Sequence, residues 1–325
     1  MTTPDLASSL ADARRWVCWF SLFAVFGIVL AGCGQQAPPE AASAAEANAT
    51  AAVADGTDDR ADWPEVIRFG LVPTEGGADT IRRFAPLRDH LVESLGIEVE
   101  LESASNYMGV ITAMANDQLE FAWFGPKSYV EAARRADAEA LVVELNAAGE
   151  AGYYSIFIVP SDSSLQTHDE ARGSSFAFTD PNSTSGCLIP STVLFDRFGE
   201  PADSFFGEVR FSGAHGTSIL QVAAGELEVA ATNDLDLAKM TQKGAVRPDA
   251  VRIVHQSQLI PGSPIAARAD VPESLKRAVR EALVRIAERP GALEQLQNGG
   301  YQPVEDAEYD IIRATQSFLE QASAN

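Results

Sequence analysis

The chain is short of cysteine, of positive charge and of any run long enough to cross a membrane. Its 325 residues include three cysteines, at 18, 33 and 187. Only Cys187 lies beyond residue 62, so the part that can fold has no second cysteine for a disulfide. Lys and Arg number 24 against 46 Asp and Glu, a net charge of −22. Nucleic-acid binders draw most of their affinity from cationic contacts to phosphate, so the charge excludes that class. The four histidines, His90, His168, His215 and His255, form no pattern with metal-ligand spacing. The strongly apolar run Trp16–Leu30 has 15 residues, short of the roughly 20 that span a bilayer as a helix. Residues 34–62 contain no aromatic residue and are rich in Ala, Glu, Asp and Pro. Such a stretch cannot build a core and serves as a flexible tether.

What is present at the N-terminus points to export. Arg14 and Arg15 precede the apolar run, which ends in Leu30-Ala31-Gly32-Cys33. A basic start, a short apolar core and small residues before a cut describe a signal peptide. Cysteine directly after Leu-Ala-Gly resembles a bacterial lipobox, in which that residue is lipidated. The expected layout is a signal over 1–32, a tether over 33–62 with Cys33 as the lipid-bearing residue, and a folded part from 63. The protein would then sit in the periplasm or cell envelope, held to a membrane by its lipid. Removing residues 1–32 takes two acidic and two basic residues, so the rest keeps the full −22.

The folded part alternates strand-like and helix-like patterns. Val66–Pro73 reads as a first strand, and Ile81, Phe84, Leu87, Leu91 and Leu95 repeat at helical spacing. Ile97–Leu101, Phe121–Phe124, Leu141–Leu145 and Tyr154–Val159 follow as strands, with helices over Val110–Met114 and Ser128–Ala136. After Pro160 the alternation restarts with Ser175–Phe178, Val209–Phe211 and Val229–Ala231, and Val251–Val254 leads back to the first unit. A last amphipathic helix spans Glu273–Glu288. This pattern predicts an α/β fold with mostly parallel sheets in two lobes: 63–159 with 257–325, and 160–256.

The chemistry concentrates in Thr179-Asp180-Pro181-Asn182-Ser183-Thr184-Ser185-Gly186-Cys187, between a strand and a helical pattern. Three adjacent hydroxyls beside the free amides of a helix start suit an oxyanion that needs many donors from one side. Asp, Asn, Ser and Thr are also ordinary N-cap and turn residues, so spacing alone leaves both readings open.

Further segments carry a family resemblance: Asn106-Tyr107-Met108-Gly109-Val110-Ile111, Ala122-Trp123-Phe124-Gly125, Gly152-Tyr153-Tyr154-Ser155, Gly213-Ala214-His215 and Leu259-Ile260-Pro261-Gly262-Ser263-Pro264. With Asp180–Gly186, and in this order, they resemble the phosphonate/phosphite-type substrate-binding proteins of ABC transporters over nearly all of 65–320. The resemblance implies a two-lobed type II periplasmic-binding fold with a ligand cleft between the lobes, no cofactor and no catalysis. It implies that Ser183, Thr184 and Ser185 hold the oxyanion, that Tyr107 and Tyr153 reach it from the first lobe, and that His215 contacts it from the second. Its implied partners are a small oxyanion and an ABC permease.

Two departures stand out. In aminophosphonate-binding relatives a Glu and an Asp hold the ligand's ammonium; the matching positions here are Leu235 and Ser263. Without those carboxylates an ammonium would lose its charge-assisted hydrogen bonds, which favours phosphite, methylphosphonate or phosphate. Asp234 and Asp236 flank Leu235 and are expected to point away if Leu235 points in. The second departure is Cys187, four residues after Ser183 and three after Thr184. A regular helix places these on one face, and a first-turn thiol has a lowered pKa. A thiolate beside an oxyanion pocket resembles what arsenite-binding relatives of this family use, so an arsenite-binding sensor that signals to a membrane histidine kinase through Cys187 is the alternative to an importer component. A buried cysteine serving as a small apolar residue is the other reading of that position. Catalysis would need Cys187, His215 and Asp180 to meet as nucleophile, base and orienting acid.

Overall fold

The computed structural model describes residues 60–324. The signal, most of the tether and Cys33 lie outside the described residues. No helix among the described residues is long and apolar enough to cross a membrane.

The strands in chain order are β1 (Val66–Leu71), β2 (Glu98–Ser103), β3 (Phe121–Trp123), β4 (Glu139–Glu144), β5 (Gly152–Tyr153), β6 (Ser155–Pro160), β7 (Ser175–Phe178), β8 (Glu208–Phe211), β9 (Val229–Asn233), β10 (Val251–Gln256), β11 (Ile260–Pro261), β12 (Pro264–Ala267) and β13 (Tyr301–Pro303). They form a six-stranded sheet, β13-β4-β12-β3-β1-β2, and a five-stranded sheet, β10-β6-β9-β7-β8, with β5 and β11 paired apart. β1 is a central strand whose Ile67, Phe69 and Leu71 are fully buried. β2 alternates Glu98, Glu100 and Glu102 with apolar residues and stands at the sheet edge, where outward charge blocks further pairing.

The helix α1 (Gly77–Leu95) buries Phe84, Leu87, Leu91 and Leu95 on one face, the spacing of an amphipathic helix. It stops at Gly96, whose φ of 70° is a left-handed cap that glycine adopts at little cost. The expected tail helix runs only over Glu273–Val284 and gives way to a 3₁₀ turn at Ile286–Glu288.

Two expectations change. The sheets are mixed: β1 pairs in parallel with β2 and β3, but β12 runs antiparallel to β3 and β4, and β6 antiparallel to β9 and β10. β6 and β12, the longer strands that follow the two crossings, run against the parallel set, as does β13 against β4. The crossing itself comes earlier than Pro160. β6 pairs wholly within the second sheet, so the chain changes sheets at Tyr154. It returns between Gln256 and Ile260. At this double crossing Ser155 N–H donates to Ser257 Oγ (3.0 Å) and Ser257 N–H to the Ser155 carbonyl (2.9 Å).

Candidate ligand-binding site

In parallel α/β sheets, binding residues gather beyond the carboxyl ends of the strands, and that is where this chain's polar residues meet. Tyr107 opens the helix α2 (Tyr107–Ala115) after β2. Thr74 follows β1, Gly125 follows β3, and Glu144 ends β4. From the second sheet come Ser183–Ser185 after β7, His215 at the start of a helix after β8, and Asn233, Leu235 and Asp236 after β9. All line one cavity of about 30 Å³, together with Trp123, Tyr153, Lys239 and Ser263.

The hydroxyl turn is held open by a π-helical turn, Thr184–Leu188, capped by Ser183. Ser183 Oγ accepts from Gly186 N–H (3.0 Å), and Leu188 N–H reaches back to the Ser183 carbonyl (3.1 Å). Gly186 is required here, because a Cβ would stand 2.3 Å from Thr179 Oγ1. Thr184 Oγ1 accepts from Lys127 N–H of the first lobe (2.8 Å), and its hydroxyl also stands beside the Tyr153 phenol. Gly216 N–H donates to the Thr74 carbonyl (3.1 Å) and Lys243 Nζ to Glu75 (2.6 Å). These bonds tie the two sheets' loops together, so the lobes are closed over the cavity.

Among the described residues the buried Thr74 Oγ1 has no hydrogen-bond partner, and Tyr107 OH has none of good geometry, with the Ser183 hydroxyl beside it. Burial raises the pKa of Tyr107 and Tyr153, which keeps both phenols as donors. His215 is buried, with Nε2 3.2 Å from Ser183 Oγ and Nδ1 3.1 Å from Thr232 Oγ1 and 3.3 Å from Thr179 Oγ1. Burial pushes its pKa down, so the ring is neutral at pH 7.

The rest of the lining is ionic. Glu144 accepts from Trp123 Nε1 (2.9 Å), Asn298 Nδ2 (3.0 Å) and Arg83 Nη1 (3.2 Å). Arg83 also pairs with Glu75 at 2.8 Å. Asp236 is tied to Asn233, the N-cap of helix α3 (Asp234–Gln242). Asn233 Oδ1 accepts from Asp236 N–H (2.7 Å), and Asn233 Nδ2 donates to Asp236 Oδ2 (2.8 Å), a variant of the capping box. Burial opposes the Asp236 charge, but Lys239, Asn233 and Arg83 outweigh it and lower the pKa.

A model of the family described as the periplasmic phosphonate substrate-binding protein of ABC transporters matches residues 69–309. The chain belongs to that family. The phosphonates-binding periplasmic protein of Escherichia coli is 28% identical over 74% of this chain and 71% of its own. The phosphate-import protein PhnD of Mycolicibacterium smegmatis is 30% identical over 77% and 85%. Among solved structures, a binding protein component of a Pseudomonas aeruginosa ABC phosphonate transporter is 27% identical, with a TM-score of 0.75 over 79% of this chain and 87% of that one. Methylphosphonate-bound PhnD1 of Prochlorococcus marinus shares the fold at 19% identity and a TM-score of 0.72, over 79% and 99%. This phosphonate-type binding protein therefore has the two-lobed periplasmic-binding fold and serves an ABC importer; it is not an enzyme.

The structure gathers Tyr107, Tyr153, Ser183, Thr184, Ser185, His215, Leu235 and Ser263 around the one cavity, but leaves Cys187 out. Cys187 packs with the second lobe's Phe157, Phe176, Phe178 and Phe205 cluster. The reason is the π turn: its wider pitch rotates Cys187 off the face that a regular helix would share with Ser183 and Thr184. Burial pushes the thiol pKa up, not down, and His215's ring nitrogens are engaged by Ser183, Thr179 and Thr232. The thiolate, arsenite and nucleophile readings lose their geometry together. Asp236 also departs from expectation, since it lines the cavity beside Leu235. Thr74, Glu144 and Lys239 went unread in the sequence. Thr74, just past a strand's carboxyl end, and Asn233-x-x-Asp236, a capping pattern, were the available signals.

Proposed function

We propose that the protein captures a small, amine-free phosphorus oxyanion, such as phosphite, methylphosphonate or phosphate, and delivers it to its ABC permease. The observation that carries this reading is the convergence of Ser183, Thr184, Ser185, Tyr107, Tyr153 and His215 on a cavity of about 30 Å³. One water centre needs roughly 10–15 Å³ on this measure, so the closed site suits a ligand of few heavy atoms. Leu235 and Ser263 bring no charge to the lining, which supports a ligand without an ammonium. The ligand gains contacts to both lobes only when they are closed, and so stabilises closure. The surplus of surface acid acts little at the site, because exposed charges are screened over about 8 Å at physiological salt.

Calorimetric titration at pH 7 with phosphite, methylphosphonate, phosphate, aminoethylphosphonate and arsenite tests the reading. Binding of one of the first three is expected, and no binding of arsenite. Failure to bind any phosphorus oxyanion would remove it. We also propose that Cys33 carries a lipid anchor. Cys33→Ser should move the protein from the membrane to the soluble fraction on cell fractionation; an unchanged distribution would exclude the anchor.

A further inference from the structure

Lys239 is a buried cation that the protein itself does not hold. Three lysine and arginine side chains are buried among the described residues: Arg83, Lys239 and Lys276. Lys276 Nζ donates to Glu139, Glu273 and the Ala269 carbonyl, each at 2.8 Å. Arg83 has Glu75 and Glu144. Lys239 is 6% exposed and lines the cavity, yet its ammonium donates to no acceptor among the described residues. Removing such a group from water without a partner is costly, so its partner belongs in the cavity.

The charges around it point the same way. Glu144, at the end of β4, is taken by Arg83, Trp123 and Asn298. Glu75, in the loop after β1, is taken by Arg83 and Lys243. Asp236, one turn earlier on the same helix, is taken by Asn233. Burial and then Arg83 oppose the Lys239 charge and lower its pKa, more than these carboxylates favour it from a distance. None supplies its hydrogen bonds.

We propose that Lys239 is a ligand-binding and specificity residue, whose ammonium donates charge-assisted hydrogen bonds to the bound oxyanion. It thereby selects a doubly charged, amine-free ligand and disfavours one that brings its own ammonium. This rests on the oxyanion reading above. A second ammonium in so small a cavity would face Lys239 at short range, where like charges repel strongly.

The test is titration of the wild type, Lys239→Met and Lys239→Gln with methylphosphonate and 2-aminoethylphosphonate, with melting temperatures measured without ligand. The wild type should prefer methylphosphonate by about tenfold or more, and Lys239→Met should lose about tenfold in methylphosphonate affinity and narrow that preference, the size expected for a hydrogen bond to a charged group. Without ligand both variants should melt no lower than the wild type. A wild-type preference for aminoethylphosphonate, or unchanged affinities in Lys239→Met, would overturn the proposal and leave the oxyanion reading standing. Unfolding of both variants without ligand would assign the charge to the fold and also overturn it. If the wild type bound neither compound nor phosphate, the oxyanion reading itself would fall.

Discussion

One hydroxyl-bearing part of the cavity lining is three consecutive residues on one turn, Ser183–Ser185, whereas the ionic part joins Glu144 of β4 to Asp236 and Lys239 of α3, with Arg83 of α1 behind. The first is neutral: Gly186, three residues on, orients Ser183, and Lys127 N–H orients Thr184 from the first lobe. In the second, Asp236 is held by Asn233 nearby, but Glu144 is held by partners far away in sequence, Asn298 and Arg83. A neutral turn can offer donors to an anion without first burying a charge. A buried ionic cluster must satisfy each charge before it can serve a ligand, so stability and recognition are joined there.

Breaking the ionic part should give the largest effect. Arg83→Met leaves Glu144 buried without its cation and Glu75 with Lys243 alone, a loss of roughly 3–5 kcal/mol. The melting temperature should fall by roughly 10 °C in a chain of this size. A change of only a degree or two in a thermal melt would show that the two carboxylates take up protons or water instead.

Breaking the hydroxyl part should spare the fold and cost affinity. Thr184→Val is expected to weaken oxyanion binding by more than about tenfold, the worth of one hydrogen bond to a charged group. Lys127 N–H loses its acceptor as well, so a small drop in melting temperature accompanies it. Calorimetric titration with unchanged affinity would take the turn out of the site.

A third substitution, away from both parts, sharpens the contrast. Burial, then the nearby His168, pushes the pKa of His255 down to about 4, against an ordinary value of about 6.5 in the unfolded chain. Between these values the unfolded chain binds a proton that the native state does not, so stability is full above pH ~6.5 and declines as the pH falls towards 4. His255→Phe keeps a ring against Phe157, which lies 5.4 Å away, and should flatten the decline in melting temperature over that range. Oxyanion affinity at pH 7 should not change; if it did, the site would extend further than its lining.

Local patterning made much of this protein legible. The buried alternation of Ile67, Phe69 and Leu71, the helical face from Phe84 to Leu95 and the hydroxyl turn at 183–185 each follow from neighbours within a few residues. Spacing failed where the backbone left its regular pitch. Cys187 was placed by α-helical periodicity, and the π turn carried it to the phenylalanine cluster. The mixed strand directions and the crossing at Tyr154 were hidden because β5, β11 and β13 are only two or three residues long, too short to show a period.

The sequence by itself determined the α/β character, the acidic surface, the absence of a disulfide in the folded part and the oxyanion turn, because composition and short-range periodicity encode each of them. Only the tertiary structure decided that Arg83, Glu144, Asp236 and Lys239 share one buried neighbourhood. Residues 83 and 239 are far apart along the chain, and no local pattern records which long-range charges must meet. Folding brings them together because each isolated charge would be costly to bury. Lys239 is left turned to the cavity, where a bound anion would complete the set.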